Sequence, residues 1–382
     1  MDKDVVTVKN QKQGFFAKMS NSFSGIVVGI LLLIGGIGLL WWNEHNNVKN
    51  IKNVKELRDQ IIDVSSSKVD SKYDGKLIAT NGVLTYNDDT LTDTEFNVSV
   101  KAPAFCREIE IYEWVEESET KDDETIYTYK KEWKSGIIDS NDFNSPKGHE
   151  NPTEDMIKYS PERFVTDEDL KVGEYTLGDN FKAELESDKS VPIPEDVKLP
   201  EGYKVNNKYI TNSENVDEPQ IGDIRIYFNK ADYKEISVMG KQDGDTIVEY
   251  TTKNNTVISK LVKGTKNGTS MINDIESANN MMKWIFRILG TLLIVIGVSS
   301  ILGPITTLIG YIPFLGNIVN SMIGVVSFLI GLSIALIVIA ISWFAARPIV
   351  AIISLVVVAA LIAGLVFYVK NNKKTTQTVE QK

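Results

Sequence analysis

Few side chains in this sequence could carry chemistry. Its two histidines are His45, just beyond a long apolar run, and His149, in the loop PKGHENP beside Glu150. Hydrolysis or group transfer needs a nucleophile beside a base, or a metal held by three or four ligands. His149 is the one candidate acid, base or ligand, and a loop histidine that hydrogen-bonds its own turn is the commoner use of such a residue. Glu116, Glu117 and Glu119 could face a hard cation, yet a calcium loop needs Asp and Gly at fixed offsets that are missing here. Cys106 is the only cysteine, which excludes an internal disulfide and any thiolate cluster. Tyr112, Trp114, Tyr127, Tyr129 and Trp133 could form an aromatic ligand face, but their strand-like periodicity assigns them to a packed sheet interior. The expectation is no catalytic residue, no metal and no cofactor.

The elements that would hold these residues divide into apolar and polar parts. Phe23 to Trp42 reads FSGIVVGILLLIGGIGLLWW without a charge. A helix of about 20 residues spans the roughly 30 Å of a bilayer's hydrocarbon core. The run ends in Trp41, Trp42, Asn43 and Glu44 rather than at a small-residue cleavage site, so it reads as a permanent anchor with its indoles at the headgroup boundary. Gly25 and Gly29 form a GxxxG pair that would admit a second helix closely. Three further apolar runs follow, Trp284 to Leu302, Ile318 to Phe344 and Ile349 to Val369, with Arg287 and Arg347 placed to snorkel and Trp284 to sit at a boundary. Gly303 to Asn317 is apolar but broken by Pro304 and Pro313, which suits an interfacial or re-entrant loop.

Between the first and second runs the chain is acidic, with 47 Asp and Glu against 31 Lys and Arg from His45 to Lys283. No basic stripe for nucleic acid exists. Val48, Ile51, Val54, Leu57 and Ile61 continue the first span outward as an amphipathic helix, after which period two takes over. Gly75 to Leu84, Phe96 to Val100, Cys106 to Glu116, Ile126 to Lys134, Ile224 to Phe228 and Ile247 to Tyr250 read as strands, with Asp243-Gly244 as a hairpin turn. In the third, Ile109 and Ile111 share a face and Tyr112 and Trp114 the other parity, so a bulge is expected near Ile111. Glu116 to Glu124 reads as a solvated connection. Met271, Ile272 and Ile275 suggest a short helix capped near Ser270.

The sequence therefore predicts an α+β membrane protein: four transmembrane helices with a large β-rich soluble domain inserted between the first and second. The expected segments are an arm 1–22, a span 23–43, the domain 44–283, a span 284–302, a loop 303–317, spans 318–344 and 349–369, and a tail 370–382. Lysines in the arm (Lys3, Lys9, Lys12, Lys18) and tail (Lys370, Lys373, Lys374, Lys382) favour cytoplasmic termini and an extracytoplasmic domain.

Several motifs resemble the transmembrane protein 43 (LUMA) family: WWNE at Trp41 to Glu44, EIYEWVEE at Glu110 to Glu117, YTYKKEW at Tyr127 to Trp133, GHENP at Gly148 to Pro152 and IGDIRIYF at Ile221 to Phe228. Trp284 to Gly290, IPFLG at Ile312 to Gly316 and Arg347-Pro348 extend the likeness through the membrane block, and Lys158 to Val216 is its weakest part. The resemblance singles out Glu44, Tyr112, Trp114, Glu116, Trp133, Gly148, His149, Asn151, Pro152, Gly222, Arg225 and Pro348 as motif residues without an assigned role. It implies a non-catalytic scaffold that self-associates and binds other membrane proteins. The implied location is the endoplasmic reticulum or nuclear envelope in a eukaryote, and the cell membrane in a bacterium. The competing readings are a channel or transporter, for which Asn317, Asn320 and Ser321 are the polar candidates although the spans lack acidic residues, and an enzyme built on the His149 loop.

Overall fold

In a computed structural model the described residues are 4–9, 15–87, 90–121, 124–309, 316–344 and, within 349–367, all but 350, 351, 354 and 365. The chain forms two compact units: residues 1–11 with 60–271, and residues 12–59 with 272–382.

The first unit is the β-rich domain, built on two sheets with a core each. In the larger sheet the long hairpin of β6 (Ala104–Lys121) and β7 (Glu124–Lys134) is central. Around it lie β1 (Asp4–Lys9), β8 (Glu162–Val165), β11 (Lys189–Ser190), β12 (Lys204–Asn206), β13 (Tyr209–Thr211) and β14 (Ile224–Lys230), in the order β1-β7-β6-β14-β13-β12 with β8 on β6 and β11 on β14. Alternation along β6 and β14 sends Phe105, Ile109, Ile111, Ile224, Ile226 and Phe228 inward, where Phe96 joins them.

The second sheet contains β2 (Ile62–Asp63), β3 (Leu77–Thr85), β9 (Leu170–Val172), β10 (Tyr175–Leu177), β15 (Glu235–Asp243), β16 (Thr246–Val248) and β19 (Lys260–Lys263). Its pairings run β15-β16-β10-β9-β3 and return from β3 to β15, closing a ring around Ile78, Leu170, Val172, Tyr175, Phe181, Val238 and Ile247. Asp243 and Thr246 close the β15–β16 hairpin, with Gly244 at positive φ as its turn signal required. Two small hairpins complete the unit, β4 (Thr90–Asp93) with β5 (Val98–Lys101) and β17 (Tyr250–Thr251) with β18 (Val257–Ile258).

Three expectations for this unit change. β6 pairs in unbroken register with β14 through Ile111 and with β7 from Ile111 onward, so there is no bulge. Both faces of the strand are covered: Ile109, Ile111 and Glu113 point into one buried face, while Tyr112 and Trp114 lie half-buried on the other. The described part of Glu116 to Glu124 is strand rather than a loop, with β6 running to Lys121 and β7 starting at Glu124. The N-terminal arm also contributes an edge strand, β1, which pairs with β7 from Asp4 opposite Tyr129 to Lys9 opposite Glu124. Strands hydrogen-bonded to each other share one side of a bilayer, so this pairing opposes the expected separation of arm and domain.

The second unit is helical. α1 (Phe15–Gln60) is one 46-residue helix carrying the apolar run and its amphipathic continuation, with Val54 and Leu57 buried. α2 (Gly268–Ile309) is likewise continuous and runs through Pro304. Its cap is Asn267, whose side chain accepts from the Ser270 N–H at 2.8 Å, three residues before the expected start. The first half of the expected 303–317 loop is thus helix. α3 (Gly316–Trp343) matches its predicted span. Among the described residues three helices are long and apolar enough to cross a membrane, and within the fourth expected span a shorter apolar helix is described, Leu355–Gly364.

Glycine lets α1 and α2 meet backbone to backbone. A Cβ at Gly29 would fall 2.7 Å from the Gly297 carbonyl oxygen, and one at Gly36 would fall 2.9 Å from that of Gly290. As the α1 number rises the α2 number falls, so the helices are antiparallel. The GxxxG surface is therefore filled within the chain; Gly25 stands further off, its Cβ position 3.9 Å from the Ser300 carbonyl oxygen. Leu40, Ile294, Val298, Ala335 and Val338 form the core of the bundle.

Candidate functional site

The motif residues collect at two places, one in each unit. In the helical unit, Glu44 follows the apolar run of α1 and is fully buried. Its carboxylate accepts from Arg287 Nε at 2.6 Å and Nη2 at 2.8 Å on α2, and from the Trp343 indole N–H on α3. Asn43 donates to the Lys283 carbonyl at 3.2 Å beside it. One carboxylate thus joins three helices. Arg287 was expected to snorkel toward water; it is mostly buried and paired, because a carboxylate out of water attracts the nearest guanidinium in a bidentate fork. Glu44 is likewise inside the bundle. Trp41, Trp42 and Trp284 are each about half exposed, with Trp42 edge-on to Phe286 and Arg287 over the Trp284 ring. Arg347, Pro348 and the side chains of Asn317, Asn320 and Ser321 lie outside the described residues.

In the domain, the PKGHENP loop clasps the hairpin. Gly148 adopts φ of 89°, which the turn requires, and its N–H donates to Glu150, holding that carboxyl below its usual range. His149 is buried and stacked on Tyr129 at 3.8 Å, with Trp114 edge-on at 4.7 Å. Its Nδ1 lies 2.8 Å from the Ser145 carbonyl and its Nε2 3.2 Å from Asp4 of β1. Tyr129 donates to Glu116 at 2.6 Å, and burial pushes its hydroxyl up to about 12. Asn151 extends the ladder where β14 ends: its Oδ1 accepts from the Trp114 N–H at 2.7 Å and its Nδ2 donates to the carbonyls of Trp114 and Ile138. Pro152 follows, half-buried.

Farther down the hairpin Tyr112 packs on Trp133 at 5.2 Å, and Arg225 lies between Trp133 and Tyr209 while pairing with Glu110. Gly222, at φ of 91°, donates to the Tyr112 carbonyl. The aromatic residues thus serve packing, with only Tyr129 fully inside and the others half-buried beneath a loop and an arginine.

Two buried charges escaped sequence reasoning. Arg107, on the core face of β6, meets Asp93 and Glu95 at 2.6 Å and Glu162 at 2.9 Å, and donates to the Ser160 carbonyl. The signal was an arginine at the parity of Phe105 and Ile109. Glu113, at the parity of Ile111, accepts from the Ile138 N–H at 3.0 Å while its second oxygen has no partner. Burial holds its carboxyl above the ordinary value, against the pull of that N–H. Among the described residues no group of three or more His, Cys, Asp or Glu is arranged to hold a metal ion.

Residues 111–348 match the model of a family described as transmembrane protein 43. The chain is 25% identical to transmembrane protein 43 of Homo sapiens over 94% of its own length and 92% of that protein's. It is 25% identical to the Mus musculus protein over 91% and 90%, and 26% identical to a Drosophila melanogaster homologue over 71% and 74%. No solved structure matches.

Replacing Arg287 by Leu strands a buried carboxylate, and about 3–5 kcal/mol of bundle stability should be lost. Glu44→Gln/Arg287→Leu should recover most of it, since a glutamine oxygen still accepts from Trp343. Thermal unfolding of the purified protein in mild detergent reads the difference, and equal losses in both variants would contradict the clamp. Glu113 gives a pH signature. Its raised carboxyl keeps a proton in the folded state that the unfolded chain releases, so its penalty grows as pH rises above about 4.5. Glu113→Gln should stabilise the domain by on the order of 1 kcal/mol at pH 7, with the advantage vanishing by about pH 4 in unfolding curves.

Proposed function

Because this chain belongs to the transmembrane protein 43 family, we propose that it is a non-catalytic organiser that joins membrane proteins through its β-rich domain. The carrying observation is that His149 is used in packing: it is buried, stacks on Tyr129 and has its Nδ1 against the Ser145 carbonyl. Glu44 and Arg287 are saturated by each other and Trp343. The residues that could do chemistry are used to hold elements together.

Topology follows from weighing two terms that compete. The Phe23 to Trp42 run carries 12 large aliphatic or Phe side chains, whose withdrawal from water is worth on the order of 20 kcal/mol. Six strand pairs between β1 and β7 are worth about 1–6 kcal/mol, before an ordering cost of roughly 1–2 kcal/mol per residue. Crossing wins. In a bilayer α1 therefore carries the arm away from the domain, and the outer edge of β7 is left open. Such an edge is a template on which an extended segment of a partner adds as a strand.

A photo-crosslinking residue at Thr128 on β7 should give intermolecular adducts in native membranes, and one at the exposed Val257 should not. Absence of adducts at Thr128 removes the basis of this reading. For the topology, Val5→Cys in a Cys106→Ser background should react with an impermeant maleimide only from the face opposite Val257→Cys. Labelling of both from one face would place arm and domain together and overturn the crossing.

A further inference from the structure

Just past the apolar run, α1 and α2 enclose a cleft of about 50 Å³ lined by Trp42, Asn43, Asn46, Asn47, Asn50, Asn279, Met282, Lys283 and Phe286. A single bridging water needs only about 10–15 Å³, so the space has room for more than one water. Five asparagines and a lysine surround it, with an aromatic pair, Trp42 and Phe286, at the membrane end. Asn47 is 5% exposed and its amide nitrogen has no partner, a buried donor that a ligand in the cleft would complete. No carboxylate lines the cleft; Glu44, next to the lining Asn43, is bound by Arg287 and Trp343, and the donors are amides and the Lys283 ammonium, which also donates to Asn280 at 2.7 Å.

We propose that this cleft binds the phosphate ester of a membrane lipid headgroup, with the Asn47 amide and the Lys283 ammonium as donors and Trp42 and Phe286 against the glycerol and upper acyl carbons. Position identifies the class of ligand. The 20-residue apolar run ends at Trp42, so the asparagines of the next two turns stand at headgroup depth. A phosphate matches a site rich in donors, and an aromatic floor matches a molecule whose other end is apolar. The inference rests on α1 and α2 crossing a bilayer and is independent of the organising role.

The test uses the full-length protein in mild detergent, titrated with phosphatidylglycerol and read by native mass spectrometry. Wild type should retain one lipid per chain, and Asn47→Leu and Lys283→Gln should each weaken retention about tenfold. Leucine removes the unpaired amide at similar volume, so the melting temperature of Asn47→Leu should hold or rise, separating lost binding from lost folding. Unchanged retention in both variants overturns the proposal. Equal retention of the uncharged diacylglycerol overturns the phosphate assignment. Retention of glycerol phosphate as tight as that of phosphatidylglycerol overturns the lipid assignment in favour of a soluble ester.

Discussion

A carboxylate withdrawn from water must be paid for, and the helical unit is arranged around that requirement. Glu44 at zero exposure is tolerable only because Arg287 presents two N–H groups to it and Trp343 a third. These bonds fix the rotation of three helices at one level. Below that level the contacts have little directional preference: glycine against glycine between α1 and α2, and aliphatic side chains around Leu40 and Ile294. Glycine contacts permit close approach without selecting a register. The polar clamp selects it, which accounts for a costly ion pair where a Leu would pack more cheaply.

The domain uses buried polarity in the same way. β14 leaves β6 after Ile111, so beyond that point the outer edge of β6 has no strand from β14 to complete its ladder. Asn151 supplies the missing ladder bonds and His149 the missing packing on Tyr129. Arg107 plays the corresponding part in the larger core, drawing three carboxylates from two segments to one point. In each case a polar group is buried with its partners supplied from a distant part of the chain, which penalises misplaced alternatives.

What the sequence makes legible follows from range. The apolar run of α1, the alternation along β6 and β14, the Asp243-Gly244 turn and the local bond of His149 are all set by neighbours within a few residues. Glu44 with Arg287 and Trp343 is not, since the partners lie 243 and 299 positions away. A charge beside an apolar run looks the same whether it will snorkel or pair. The closed ring of strands was hidden because β9, β10 and β16 have three residues each, too few for a period to declare itself. Tyr112 and Trp114 misled for the opposite reason: a strand covered on both faces shows two apolar parities, which imitates a bulge.

The filled glycine seam bears on how copies of this chain could meet. Gly29 already touches Gly297, and Gly36 touches Gly290, so a second copy that used this face would have to displace α2. Displacement would pull Arg287 from Glu44 and leave a carboxylate bare in a helical bundle, a cost of several kcal/mol against the roughly 1–2 kcal/mol that a hydrogen-bonded helix contact in lipid returns. The ion pair that orders the bundle thus also holds α2 against Gly29 and Gly36. Any association in the membrane is left to the outer faces, and association of the domain to its sheet edges.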